Sequence, residues 1–123
     1  MQGEHPSFFK GPRRQGEYMP STEYLRELFT LNPFTGALHW KVQRGSATPG
    51  KFAGRWDAKG YLEVRIDGVL YKAHRIVYKW LHGVDPGDLT IDHINGVRDC
   101  NRPWNLHLMT RGDNARKGQV SWA

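Results

Sequence analysis

Residues 62–83, LEVRIDGVLYKAHRIVYKWLHG, change their apolar period from two to 3.6 without a break. Side chains on a strand alternate between faces. Leu62, Val64 and Ile66 therefore share one face, and Glu63 and Arg65 take the other. Asp67-Gly68 is a two-residue hairpin signal, because both turn positions need backbone angles that Asp and Gly tolerate. A loop of that length sets Ile66 opposite Val69, which sends Val69, Tyr71 and Ala73 to the buried face and Lys72 to the outer face beside Arg65. His74 to His82 then fits a helix with Ile76, Val77, Trp80 and Leu81 as its stripe, and Gly83 suits the position after its last turn. A hairpin running straight into an amphipathic helix makes the chain α+β.

The flanks add shorter elements. Pro20-Ser21 reads as a helix start, with Ser21 as N-cap and Glu23 in the first turn. Tyr24, Leu25, Leu28 and Phe29 form its stripe, and Asn32-Pro33 stops it. Ala37 to Val42 alternates imperfectly behind a Thr35-Gly36 turn, and the Gly- and Pro-containing stretch 44–60 is expected to be mostly loop. Asp85-Pro86-Gly87 is a turn. A strand over Leu89–Ile94, a loop opening at Asn95-Gly96, and a strand over Asn105–Met109 follow, and Thr110 can cap a last helix with Asp113 three residues on. Residues 1–19 mix Gly, Pro and charge without periodicity and read as an arm; 20–123 read as one domain.

Eighteen Lys and Arg against twelve Asp and Glu leave +6 on 123 residues. The surplus sits between Ala37 and Gly83, where nine bases (Lys41, Arg44, Lys51, Arg55, Lys59, Arg65, Lys72, Arg75, Lys79) face three acids (Asp57, Glu63, Asp67). Scattered surface cations account for such a pattern, and so does a platform for phosphates helped by Trp40, Trp56 and Tyr61. One cysteine, Cys100, excludes an internal disulfide and a cysteine-built zinc site. With no apolar run of membrane-spanning length and no signal-peptide pattern at the start, the expectation is a soluble protein of the cytoplasm with no membrane partner.

The last third concentrates chemistry. Asp92-His93 falls on a strand, Asn105-Leu106 opens the next, and Asn114 lies on the helix that closes the unit. Each of these side chains can bind a metal or handle a proton. IDHINGVRDCNRPWNL followed by MTRGDNARK resembles the HNH nuclease family, in the branch of phage proteins and intron-encoded homing nucleases with a ββα-metal core. Twelve residues run from His93 to Asn105 and nine more to Asn114. The stretches TGALHWK and GYLEVRIDGVLYKAHRIVYKWLHG resemble the N-terminal part of the same phage proteins, so the likeness covers roughly 28–118.

The resemblance implies an N-terminal helix and a basic hairpin/helix platform over about 35–87, followed by a ββα-metal motif over about 88–118. It implies a metal-dependent DNA endonuclease of phage or mobile-element origin that hydrolyses phosphodiester bonds in double-stranded DNA and, as a monomer, nicks it. His93 corresponds to the general base, and an imidazole of ordinary pKa near 6.5 is mostly neutral and basic at pH 7. Asp92 and Asn114 correspond to the ligands of one divalent ion, Mg²⁺ or Mn²⁺, for which hard oxygen donors are suited. Asn105 corresponds to a supporting residue that ties the loop across the strands and helps hold the histidine. Arg65, Lys72, Arg75, Arg98, Arg102, Arg111, Arg116 and Lys117 are the candidate DNA contacts. The competing reading is a non-catalytic module that binds DNA or a phage packaging or replication protein on the same scaffold.

Two further expectations carry weight. Neighbours on a regular strand point to opposite faces, so Asp92 and His93 can meet one phosphate only at a strand end, a strong twist or a bulge. His74 matches a recurrent family position; packing at the hairpin–helix junction is the expected role, with a contact to the site or to DNA as the alternative. His107 is expected to be structural or exposed, and Asp99 and Asn101 to fasten their loop by local backbone bonds. Relatives often continue into a separate DNA-reading segment, whereas nine residues follow Asn114 here. Either the protein is short or the chain is trimmed; a missing reading segment would imply weak sequence preference and affinity that falls steeply with salt.

Overall fold

A computed structural model describes residues 19–87, 89–110 and 112. The expected arm, Met19 apart, and the closing helix with Arg111, Asp113, Asn114, Arg116 and Lys117 lie outside the described residues. Helix α1 spans Thr22–Leu28, and Ser21 caps it by accepting the Tyr24 amide at 3.1 Å. The helix stops earlier than the sequence implies. Phe29 takes extended angles, and Phe29–Leu31 forms strand β1, paired antiparallel with β2, Leu38–Trp40. Cross-strand pairing outweighs the helical stripe here, since an aromatic residue and Thr suit a strand better than a last helical turn. Asn32 shapes the β1–β2 turn instead of ending the helix: its Oδ1 accepts the amides of Phe34 at 2.8 Å and Thr35 at 3.2 Å.

The loop expected over 44–60 contains one short strand, β3 at Arg55–Trp56, which adds an edge to the central hairpin. That hairpin is β4, Leu62–Ile66, with β5, Val69–Lys72, in the register read from the sequence: Ile66 faces Val69 and Arg65 faces Leu70. Helix α2, Ala73–His82, follows at once, and Gly83 ends it with φ +77° and its amide bonded to the Lys79 carbonyl at 2.9 Å. Strand β6, Thr90–His93, pairs antiparallel with β7, Leu106–Met109. A 3₁₀ turn, Pro103–Asn105, leads into β7, so Asn105 sits before the strand and not in it. Pro103 explains the shift, because its fixed φ favours the first position of a helical turn.

Leu25, Leu28 and Phe29 pack with Leu38, Val64, Ile66, Ala73, Ile76, Val77, Ile91 and Leu106 in one core. Helix α2 is its centre, with Ile76 and Val77 fully buried. Val69 and Tyr71 are half-buried, less than the alternation implies. Trp80 donates to the Phe29 carbonyl at 3.2 Å and so ties α2 to the α1–β1 junction. No described helix is long and apolar enough to cross a membrane.

The cationic stretch is largely committed to internal partners. Arg44 pairs with Asp67, Lys72 with Asp57, Arg55 with Glu63 at 3.5 Å, and Arg75 and Lys79 with Asp85 at 3.9 and 3.7 Å. Five of the nine bases thus contact four carboxylates; Asp57, Glu63 and Asp67 are already subtracted in the surplus, and only Asp85 lowers it further. Lys72 and Arg65 do share the outer face of the hairpin, as its register requires.

The β1–β2 turn touches the chemistry-bearing third of the chain at one point. Gly36 has φ +75°, and a Cβ there would lie 1.9 Å from the Asn101 carbonyl oxygen. Gly68 has φ +86° but open space around it. Gly36→Ala is therefore expected to lose about 3 kcal/mol or more, against about 1–2 kcal/mol for Gly68→Ala, which bears only the left-handed backbone cost. Urea unfolding of the two variants measures this; equal losses would mean the loop gives way freely at Asn101.

Candidate active site

The β6–β7 ribbon is held shut by one amide. Asn105 is fully buried and uses its side chain on the loop it follows. Its Nδ2 donates to the Cys100 carbonyl at 2.8 Å and to Asn95 Oδ1 at 3.0 Å, and its Oδ1 accepts the Asn95 amide at 3.0 Å. The backbone closes the same gap, with the Ile94 amide on the Asn105 carbonyl at 2.8 Å. An amide offers two donors and an acceptor oxygen, and this geometry engages both ends. The loop-tying role expected of Asn105 is what these bonds describe.

Its expected hold on the histidine belongs to another residue. His93 Nε2 lies 2.8 Å from Asn101 Oδ1, a buried contact eight residues along the chain. Asn101 thus does more than fasten its loop locally. A carboxamide oxygen only accepts, so Nε2 carries the proton and Nδ1 the basic lone pair in the neutral ring. Asp99 is also long-range: its Oδ2 accepts the Trp56 indole N–H at 2.8 Å and links the loop to β3.

Around His93 the earlier half of the chain builds a wall. The His74 ring stands edge-on to it, with centroids 4.9 Å apart, and Tyr61 lies 6.0 Å from His93 and 5.6 Å from His74. Lys72 and Arg98 bracket the Tyr61 ring at 5.4 and 5.3 Å. Arg98 also donates to the Lys59 carbonyl at 2.7 Å. His74 is buried, and its Nδ1 has no hydrogen-bond partner. Burial, then the positive neighbours His93, Arg75 and Lys72, push its pKa down to about 3, so the ring is neutral at any ordinary pH. Packing at the junction describes His74, but its immediate neighbour there is the candidate base.

Asp92 lies on the other side of the ribbon. Asp92 pairs across the ladder with His107, and His93 with Leu106, so successive side chains alternate in the ordinary way. Asp92 Oδ2 meets His107 Nε2 at 2.9 Å. Between the two neighbours there is neither a bulge nor a slipped register, and the strand end is at hand. His93 closes β6, and the Gly96 amide bonds back to its carbonyl at 2.8 Å in the turn that follows. A phosphate shared by Asp92 and His93 has to sit at that end of the ribbon.

Of the candidate DNA contacts, Arg65 and Arg102 are exposed, and Lys72 and Arg98 stand beside Tyr61. Arg75 is engaged in the fold, donating to the carbonyls of Gly87 at 2.9 Å and Leu89 at 3.3 Å. Arg111, Arg116 and Lys117 are outside the described residues, as is Asn114. The described donors fit a small divalent ion in kind, a buried carboxylate with an imidazole against it. No three His, Cys, Asp or Glu side chains gather among the described residues.

Sequence reasoning missed Asn101 and His107 as parts of the site and took a site contact of His74 only as the alternative. Asn101 becomes visible only once the loop is closed. His107 needs the strand register, which places it directly opposite Asp92.

The site is a two-stranded antiparallel ribbon with a buried, amide-held histidine at its end and a carboxylate one residue before. Residues 71–116, from β5 through the ribbon, match the family model described as HNH endonuclease. A solved structure titled "DNA binding and cleavage by the HNH homing endonuclease I-HmuI" has a similar fold, with a TM-score of 0.54 and 23% identity. The likeness covers 76% of this chain and 55% of that one, so the chain spans about half the length of the structure it matches. No curated protein matches the sequence.

The depressed pKa of His74 has a consequence for stability. The unfolded chain takes up this proton near pH 6.5, whereas the folded chain resists until about pH 3. The contribution of neutral His74 is therefore complete above pH 6.5 and is lost as pH falls toward 3. Asp57, held down to about 2 chiefly by its bond to Lys72, loses its contribution only below its ordinary 3.8. Between pH 7 and 4.5, thermal melts of the wild type are expected to drop more than those of His74→Phe. Parallel profiles would show that the folded site accepts the proton readily.

Proposed function

We propose that this chain is a metal-dependent HNH endonuclease that hydrolyses phosphodiester bonds in double-stranded DNA and nicks one strand per encounter as a monomer. The observation that carries the reading is the buried His93, fixed through Nε2 by Asn101 and set one residue after Asp92 in a segment that matches the HNH endonuclease family. We assign Mg²⁺ or Mn²⁺ as the cofactor, a phage or mobile element as the origin and the host cytoplasm as the place of action.

Hydrolysis requires a deprotonated water, neutralisation of phosphate charge and help for the departing 3′ oxygen. His93 takes the water's proton on Nδ1, and Asn101 keeps the ring in the tautomer and orientation that allow it. Asp92, with Asn114 as the family pattern assigns it, holds the divalent ion. That ion, when bound, neutralises charge on the phosphate and on the leaving oxygen. Arg98, against Tyr61, guides flanking phosphates to the end of the ribbon, and exposed Arg65 and Arg102 extend the same electrostatic contact, whereas the charge of Lys72 is met by Asp57. With so many bases paired internally, the affinity is modest and sensitive to salt.

Supercoiled-plasmid cleavage in Mg²⁺ and in Mn²⁺ tests the proposal. His93→Ala is expected to lose about 10²–10⁴-fold in nicking rate, the range typical of a general base, while DNA affinity stays within about threefold. Asn101→Ala is expected to fall between the two, and excess chelator to stop the reaction. DNA binding without nicking in any divalent ion would favour the non-catalytic binding module. Full activity of His93→Ala would remove the base.

A further inference from the structure

Asp92 and His107 form a pair whose geometry fits more than a hydrogen bond. They are directly opposed in the β6–β7 ladder, and directly opposed residues share a face of the ribbon. The Asp92 side chain is 7% exposed and that of His107 is 50% exposed, so a buried anchor meets an imidazole open to solvent. Nε2 and Oδ2 are 2.9 Å apart. Two donors bound at right angles on a six-coordinate ion with bonds of about 2.1 Å lie about 3 Å apart. The spacing of the pair is thus already that of neighbouring ligands. The separation can stay as it is; the proton between them leaves and the ring turns toward the ion.

We propose that His107 is a nitrogen ligand of the divalent ion held by Asp92, and that it biases this site toward borderline transition ions over Mg²⁺. An imidazole suits Co²⁺, Ni²⁺ or Zn²⁺, whereas Mg²⁺ prefers oxygen donors and gives up its waters reluctantly. A site with a carboxylate alone would discriminate little between Mg²⁺ and Mn²⁺. The added nitrogen raises affinity along the series toward Ni²⁺ and Zn²⁺. His93 is not part of this donor pair: it lies on the opposite face of the ribbon, bonded to Asn101. The inference rests on the nuclease reading for Asp92 as a metal ligand, and extends it to the choice of ion.

The competing role for His107 is orientation of the Asp92 carboxylate alone, and loss of such a partner also weakens metal binding, by about 10–100-fold. Overall affinity therefore does not separate the two roles, but nitrogen coordination and ion preference do. The first probe is Mn²⁺ added to the full chain without DNA and read by pulsed EPR. Nitrogen modulation from a directly bonded imidazole is expected in the wild type and in His93→Ala, and is expected to vanish in His107→Ala and His107→Gln. The second is calorimetric titration with Co²⁺ and with Mg²⁺. The ratio of the two affinities is expected to fall about tenfold or more in both His107 variants. Glutamine can still donate to Asp92 but offers the ion only an oxygen. A wild-type ratio in His107→Gln, or nitrogen modulation that survives His107→Ala, would overturn the inference. Mn²⁺ bound through Asp92 without any nitrogen signal would overturn it while leaving the nuclease reading intact. Mn²⁺ binding unchanged in Asp92→Ala would remove both. His107 is half-exposed, so its variants are expected to fold.

Discussion

Everything at the site depends on how Asn105 closes the loop between β6 and β7. Its amide is fully buried and bonds to Asn95 and to the Cys100 carbonyl. A buried polar group left without partners costs about 1–3 kcal/mol, so the loop conformation that satisfies the amide is strongly preferred. That conformation carries Asn101 to His93, and Asn101 fixes the tautomer of the ring. The same loop meets Gly36 from the first hairpin and Trp56 from β3. A single amide thus couples backbone closure, ring orientation and docking onto the rest of the domain.

The two halves of the protein divide the work. The segment through α2 supplies a core around Ile76 and Val77 and a polar wall of Tyr61, His74 and Lys72. The ribbon supplies Asp92, His93 and His107. His74 belongs to both, since it opens α2 and stands edge-on to His93. In the proposed reaction its neutrality has a physical rationale: a second positive charge at this distance would work against His93 taking up a proton.

Local rules read the chain well wherever the cause is local. The Ser21 cap, the Asp67-Gly68 hairpin with Ile66 facing Val69, helix α2 and its Gly83 stop all follow from residues near in sequence. Strands β1 and β3 were not legible although their partners are near in sequence: a helical stripe masks Phe29–Leu31, and Arg55–Trp56 is too short to show an alternation. The site divides in the same way. Asp92, His93 and Asn105 stand out by type and spacing. Asn101, His74 and His107 do not, because loop closure, hairpin–helix packing and cross-strand register bring them in. The charge count likewise could not say which bases stay free, since pairs such as Lys72 with Asp57 form only in the fold.

The central claim is convergence: the Asp92 carboxylate and the His93 imidazole, on opposite faces of a regular ribbon, serve one phosphate at its end. A crystal of the full chain with DNA and Mn²⁺, read by anomalous scattering, tests it most directly. The account predicts one Mn²⁺ peak bonded to Asp92 and to a backbone phosphate, with a water between that phosphate and His93 Nδ1. A phosphate bound on the Asp92 face with His93 turned away from it, still bonded to Asn101, would contradict it.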